Sequence, residues 1–264
     1  MIKGVDISIH QGDINFDQLK TAVPFVIMKV TEGTGFMDRL FPRNQAEARR
    51  VGMLIGYYHF ARPDLGNTPE AEADWFLATC KPQAGEVLCL DYEPPSNPSD
   101  VVAWCKTFLE RVFYKTGTRP LIYLNQAQVK GFNWKPVIDG GYGLWLAAYT
   151  ATLPATPWPF VAIQQNSNAG TVAGISARVD TNLFFGDAVA WKKYGLVAQI
   201  DPIELLKQQI LDLQEQVVGI RKSRDDWKDK YGDLYQDHEI ALEHIRELIT
   251  AAKQIRDIAT VVLE

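Results

Sequence analysis

Eight short apolar or β-branched runs, most of them closing on or beside a polar residue, recur through the first 199 of 264 residues. They are Gly4–Ile7, Phe25–Val30, Leu54–Phe60, Glu86–Leu90, Pro120–Leu124, Gly143–Ala148, Phe160–Gln164 and Val179–Leu183. Runs of this length and composition predict buried strands. Between the early ones, the amphipathic stretches Asp17–Ala22, Arg39–Val51, Pro69–Cys80 and Pro98–Thr116 predict helices. The last has Asn97 or Ser99 as its cap and an apolar face through Val102, Cys105, Leu109 and Val112. After residue 120 the connections shorten and helices are hard to find. The expected fold class is therefore α/β, an irregular TIM-like β/α barrel with reduced helix content in its second half. A doubly wound sheet is the alternative. It lacks support from nucleotide motifs: Gly33-Thr34-Gly35 does not continue into a dinucleotide fingerprint, and no phosphate-binding loop is present.

Beyond Gln199–Pro202 the chain changes character. Residues 200–264 contain none of the 12 Phe, one of the 14 Pro and two of the 19 Gly. They hold 9 basic and 14 acidic side chains against 18 and 18 before them, so the whole net charge of -5 lies here. A 3-4 apolar spacing runs from Ile203 through Leu206, Ile210, Leu213, Val217 and Ile220, and resumes through Ile245, Leu248, Ala252 and Ile255 to Val262. Arg224, Trp227 and His238 fall on the same phase. Such a stripe predicts an all-helical C-terminal region, a coiled coil or a helical hairpin. One helix of about 60 residues would reach about 90 Å at 1.5 Å per residue; a bend near Gly219–Gly232 would instead pack Pro202–Ile220 against Leu234–Val262. The bend is the favoured expectation. The domain division is thus 1–199, the barrel, and 200–264, a helical region whose stripe suits oligomerisation or recognition of a partner surface.

An acidic chain has no general attraction to nucleic acid or anionic membrane. No apolar stretch is long enough for stable membrane insertion. Cys80, Cys89 and Cys105 are expected as buried free thiols rather than a disulfide framework.

The functional signal lies at the strand ends. Asp6, Lys29 with Glu32, His59, Asp91 with Glu93, Tyr123 with Asn125, Tyr149, Gln164 with Gln165, and Asp180 would converge on one mouth of a barrel. In Leu90-Asp91-Tyr92-Glu93 two carboxyl groups two residues apart share one side of an extended chain, about 6.5–7 Å apart at the backbone. Such a pair cannot ionise freely, and a carboxyl group still protonated near neutrality can protonate a glycosidic oxygen. Asp6 and Asp180 sit on the first and eighth strands, which are neighbours in a closed barrel. Tyr57, Tyr58, Trp145, Tyr149 and Trp158 could offer flat faces to sugar rings, Tyr149 foremost. The same acids with His59 would also suit a metal, but no metal-ligand spacing such as H-x-H is present.

Several blocks in order carry a family likeness. They are Gly4-Val-Asp-Ile-Ser8 with Gln11-Gly12, Phe25-Val-Ile-Met-Lys-Val-Thr-Glu-Gly33, Gly56-Tyr-Tyr-His-Phe-Ala-Arg62 and Leu90-Asp-Tyr-Glu93. Ile122-Tyr-Leu-Asn125, Leu144-Trp-Leu-Ala-Ala-Tyr149, Ala162-Ile-Gln-Gln165 and Val179-Asp180 complete the set. Residues 1–187 thereby resemble the family-25 glycoside hydrolases; residues 200–264 lie outside the likeness. The resemblance implies a modified β/α barrel with fewer than eight helices and an N-acetylmuramidase lysozyme. Its substrate would be bacterial cell-wall peptidoglycan, cut at the β-1,4 bond between N-acetylmuramic acid and N-acetylglucosamine with retention. No cofactor and no metal are implied. Glu93 matches the general acid, Asp91 the group that assists the substrate N-acetyl moiety, and Asp6 and Asp180 the remaining acids. The expected substrate contacts are Tyr58, His59, Tyr123, Asn125, Tyr149, Gln164, Lys29 and Glu32.

No signal peptide is recognisable. An endolysin-like history is expected, with storage in the host cytoplasm and action on the wall after membrane permeabilisation. Homo-oligomers through the C-terminal helices are expected as well. The competing accounts are a chitinase-like or metal-dependent barrel hydrolase and a non-catalytic wall-binding or virion protein.

Overall fold

The computed structural model describes residues 1–93, 98, 100–195, 202–231 and 239–263. It divides into two units, Met1–Ala198 and Gln199–Glu264. In the first, the strands are β1 (Ile2–Ile7), β2 (Phe25–Glu32), β3 (Phe36–Met37), β4 (Leu54–Phe60), β5 (Val87–Asp91), β6 (Leu121–Asn125), β7 (Leu144–Ala147), β8 (Val161–Gly170) and β9 (Val179–Phe184). Its helices are α1 (Phe16–Ala22), α2 (Phe41–Arg50), α3 (Pro69–Cys80), α4 (Val101–Thr116), α5 (Gln126–Gly131), α6 (Lys135–Asp139) and α7 (Ala188–Tyr194).

The sheet order β1-β9-β8-β7-β6-β5-β4-β2, with β1 also paired to β2, closes a barrel of eight strands; β3 is a short antiparallel addition to β2. The eight expected strands coincide with these eight, shifted by a few residues at their ends. One strand breaks the parallel rule: β9 runs antiparallel to both β8 and β1. The reason is connection length. Only residues 171–178 separate β8 from β9, whereas a parallel return needs a crossover of about a dozen residues.

Most barrel strands are largely apolar on both faces, as strands covered on both sides must be; β9 and the second half of β8 carry polar residues. The inward set includes Phe25, Ile27, Cys89, Leu121, Ile163 and Phe184. At the end of the barrel where β2 begins, Trp191 of α7 plugs the interior. Its ring lies 4.6 Å from Phe25 and 5.2 Å from Phe184, and its indole N–H donates to the Ile55 carbonyl. Gly4 makes room for that plug, because a Cβ there would lie 2.3 Å from the Phe25 ring. The outward set, with Leu88, Leu90, Phe76 and Phe108, packs the strands against the helices.

Helices α1 to α4 occupy the expected stretches. The cap of α4 is Asp100, whose side chain accepts from the Ala103 N–H; the expected caps Asn97 and Ser99 lie outside the described residues. Helices α5, α6 and α7 were not anticipated. They have 7 residues or fewer, too short for a 3.6-residue period to stand out. Cys80, Cys89 and Cys105 are buried free thiols.

The second unit is a pair of helices, α8 (Pro202–Tyr231) and α9 (Glu239–Leu263), packed on each other. The favoured hairpin forms rather than one long helix: α8 is helical straight through Gly219 and ends at Tyr231, at the Gly232 end of the range where the bend was expected. The C-terminal stripe holds where it is described. Ile210, Leu213, Val217 and Ile220 are half-buried, as are Leu248, Ala252 and Ile255, and Ile245 is buried. Trp227 departs from it at 48% exposure. Among the described residues no helix is long and apolar enough to cross a membrane.

Candidate active site

Strand parity decides which strand-end residues meet. Asp6, Tyr58, Asp91 and Tyr123 point into the barrel. The antiparallel course of β9 brings its first residues to the same mouth, where Asp180 pairs across the ladder with Asp6. Beside the mouth a groove of about 440 Å³ is lined by Glu93, Tyr123, Asn125, Ala147, Tyr149 and Thr150, among others. Tyr149 is 51% exposed there. Asn125 serves twice: its side chain caps α5 by accepting from the Gln128 N–H, and it lines the groove.

Electrostatically the mouth is a set of acids that cannot all be charged. Burial and the facing Asp180 raise Asp6 to about 7. Burial also raises Asp180. Burial, then the charge of Glu93, pushes Asp91 well above the usual carboxylate range. Glu93, at the exposed rim, is raised by partial burial and by Asp180, against the opposing pull of Lys29. Lys29 donates to Glu32 Oε2 at 2.8 Å and lies over the Phe60 ring. For Glu32, burial is outweighed by hydrogen bonds from Lys29 and from Arg62, which hold its carboxyl below the ordinary value. One atom stands apart: Asp91 Oδ1 is buried and has no hydrogen-bond partner among the described residues.

Two residues that sequence reasoning passed over organise this set. Gln165 Nε2 donates to Asp6 Oδ2 at 3.0 Å and to Asp180 Oδ2 at 3.3 Å, while its Oε1 accepts from the hydroxyls of Tyr123 and Tyr149, each at 3.0 Å. Asn182 Nδ2 donates to Asp6 Oδ2 at 2.7 Å, and its Oδ1 accepts from the Trp145 indole at 2.8 Å. Asn182 was available from the period of 2 that puts it on the face of Asp180. Gln165 was named beside Gln164 but not chosen.

Of the expected contacts, Tyr123, Asn125 and Tyr149 line the groove, Tyr58, Lys29 and Glu32 are not part of its lining, and two others turn away from the barrel interior altogether. His59 follows Tyr58 and so faces the other way. It is wholly buried outside the barrel, with Nδ1 2.8 Å from Thr31 Oγ1 and Nε2 2.7 Å from Glu72 Oε2, and its ring stacks on Phe108 at 5.1 Å. Burial holds its pKa below the ordinary imidazole value. Gln164 likewise turns outward; its Nε2 donates to the carbonyls of Ala148 and Thr150, which flank Tyr149. It steadies that segment without touching the groove. Among the aromatic candidates, Tyr57, Trp145 and Trp158 are buried, Tyr58 stands edge-on to Trp145, and only Tyr149 is freely exposed. Among the described residues no three His, Cys, Asp or Glu side chains are grouped to hold a metal ion.

A family model described as glycosyl hydrolases family 25 matches residues 5–175. Lysozyme M1 of Streptomyces globisporus is 28% identical over 209 residues, covering 71% of this chain and 69% of its own. An N,O-diacetylmuramidase of a Chalaropsis species is 33% identical over 199 residues, covering 66% of this chain and 91% of its own. The crystal structure of a bacterial lysozyme from Streptomyces coelicolor superposes with a TM-score of 0.66 at 27% identity, covering 74% of this chain and 96% of the other.

Proposed function

We propose that this chain, which belongs to glycosyl hydrolases family 25 and is a peptidoglycan-hydrolysing muramidase, cuts the β-1,4 bond between N-acetylmuramic acid and N-acetylglucosamine, with Glu93 and Asp91 carrying the chemistry. Glu93 is the general acid. It stands at the groove wall, where partial burial and the charge of Asp180 raise its proton affinity while leaving it open to a leaving-group oxygen.

The observation that carries the division of labour is the buried Oδ1 of Asp91, which has no hydrogen-bond partner among the described residues. In the empty site Asp91 and Glu93 compete for a proton, and burial favours Asp91. A substrate acetamido N–H donated to Asp91 reverses that preference, because a hydrogen bond to the charged form stabilises it. The resulting carboxylate raises Glu93 by repulsion, so the proton resides on Glu93 when a glycan is bound. As the acetamido oxygen attacks the anomeric carbon, the glycosidic C–O bond breaks and its oxygen leaves with the Glu93 proton. Ionised Asp91 stabilises the positive charge on the ring formed. Water, deprotonated by the Glu93 carboxylate, then opens that ring and restores the acid. Asp6 and Asp180 share a proton and set the field at the rear of the site. Tyr123, Asn125 and Tyr149 form the sugar-facing wall with Tyr58 behind it inside the barrel, and Lys29, held by Glu32, limits the rise of both Asp91 and Glu93.

We also propose that residues 200–264 join copies of the chain, on the strength of an apolar stripe that two helices leave half-buried.

The test is Glu93→Gln. Clearing of purified cell walls should fall about 1,000-fold, within the range a general acid supplies, with an unchanged circular dichroism spectrum. Clearing at the native rate overturns the assignment. Mass analysis of the released fragments should find muramic acid at the reducing ends; glucosamine there would overturn the bond.

A further inference from the structure

One side chain in the mouth has every hydrogen-bonding position occupied. Gln165 is buried, and its amide makes all four bonds an amide can make: two donated to carboxyl oxygens and two accepted from tyrosine hydroxyls. The direction of those bonds follows from chemistry. The indole N–H of Trp145 can only donate, so Asn182 must turn its Oδ1 to Trp145 and its Nδ2 to Asp6. Asp6 Oδ2 already accepts from Asn182, and Gln165 Nε2 donates both to that oxygen and to Asp180 Oδ2, so one amide nitrogen serves both carboxyl groups. Its Oε1 is left facing Tyr123 and Tyr149, which must donate to it. The tyrosines have protons to give, because burial raises both above the ordinary phenol value.

We infer that Gln165 sets the hydrogen-bond polarity of the sugar-binding wall: Tyr123 and Tyr149 offer the groove oxygen lone pairs only, and the glycan group seated against them is a donor. Polarity thus runs from the buried indole of Trp145 through Asn182, Asp6 and Gln165 to the groove surface. A hydroxyl spent on Gln165 cannot also donate to a sugar oxygen. A glycan that offered an acceptor at this point would meet a lone pair and lose a bond on each side. Gln165 is a positioning residue here, acting on substrate through the tyrosines. The inference rests on the reading of the groove as the glycan site.

The experiment is a double-mutant cycle on glycan binding, run in full-length chain carrying Glu93→Gln so that the probe is not cleaved. The probe is a tetrasaccharide of alternating N-acetylglucosamine and N-acetylmuramic acid, titrated calorimetrically. Tyr149→Phe removes the oriented acceptor and should weaken binding about fivefold, the scale of one hydrogen bond. In a Gln165→Met background the tyrosine hydroxyl is no longer held, and the same Tyr149→Phe change should alter Kd less than about twofold. Gln165→Glu keeps an oxygen that accepts from Tyr149, so the fivefold penalty should return. A penalty of equal size beside Gln165→Met and in its absence overturns the inference. So does a missing penalty beside Gln165→Glu, should Gln165→Met fail to fold. If the chain carrying Glu93→Gln alone does not bind the tetrasaccharide, the glycan-site reading itself fails and takes this inference with it; that outcome is distinct from tight binding with additive losses.

Discussion

Two buried polar networks lie back to back across the barrel wall, and they differ in completeness. Outside, His59 bridges Thr31 and Glu72, and Glu72 accepts further N–H groups from the Arg62 backbone and from Asn67. That set is closed: every partner is protein. Inside the mouth, Asp6, Asp180, Gln165 and Asn182 satisfy one another in the same manner, but the neighbouring Asp91 keeps a buried oxygen with no partner among the described residues. A closed network holds parts together. An open one stores a preference for something absent, at a cost to the fold of about 1–3 kcal/mol for the unmet group. Burial alone therefore does not mark a functional acid; burial without satisfaction does.

This contrast can be broken by exchanging charge for amide on each side. The larger effect belongs to the mouth. Asp91→Asn should reduce kcat about 100-fold or more, with KM changed only a few-fold, because the lost charge acts on the transition state. Its melting temperature should not fall, since a buried unpaired carboxyl group is being replaced by a neutral one. Glu72→Leu should do the reverse. It strands the His59 ring and the Arg62 N–H, so stability should drop by about 3 kcal/mol while kcat on soluble fragments stays within about threefold. Denaturant unfolding and steady-state kinetics on both variants check the pair. A Glu72→Leu protein that is stable but inactive would erase the distinction.

A smaller effect is the pH dependence of stability, where the two networks have opposite signs. Asp6 has an ordinary value of 3.8 and is raised to about 7 in the fold. Between those values the native state holds a proton that the unfolded chain has released, so this group's contribution to stability is present in acid and is lost as pH rises through about 7. Asp91 and Asp180 shift in the same direction. His59, lowered by burial, works the other way: its contribution is lost as pH falls below the ordinary 6.5, when the unfolded ring takes up a proton. Asp6→Asn should therefore flatten the fall in melting temperature between pH 4.5 and 7 by a few degrees; an unchanged slope would show that the Asp6–Asp180 pair holds no extra proton.

The same two faces explain what could be read from sequence. The eight barrel strands were legible because fully buried strands are short, apolar and bounded by turn residues. The acids were legible because Asp91 and Glu93 stand two apart and because the first and eighth strands of a closed barrel are neighbours; that Asp180 lies near the start of its strand and reaches the mouth through the reversal of β9 was not. Choosing between neighbours was not possible. Tyr58 and His59 face opposite sides, as do Gln164 and Gln165, and a strand apolar on both faces shows no alternation to set the phase. The phase of β8 is further obscured by the irregular register between Leu144 and Trp145 in its β7 partner. Only pairing with neighbours decides it, and so the choice of Gln165 over Gln164 emerges from the three-dimensional network alone.

The helical unit makes the opposite case, where period was clear and purpose was not. Its stripe is strong enough that α8 continues helical through Gly219, a residue that costs a helix about 1 kcal/mol relative to alanine. Yet two helices can cover each other's stripe from one side only, which is why Ile210, Leu213 and Val217 remain half-buried along a groove completed by Ile249 and Ala252. A second hairpin laid on that stripe would complete a bundle without changing the barrel. Ending the chain at Gln199 should then convert an oligomer to a monomer in sedimentation, with kcat on soluble fragments altered less than about twofold, because no residue of the mouth lies beyond Asn182. If the full chain and the shortened one both sediment as monomers while the shortened one clears whole walls more slowly, the stripe serves wall recognition rather than self-association.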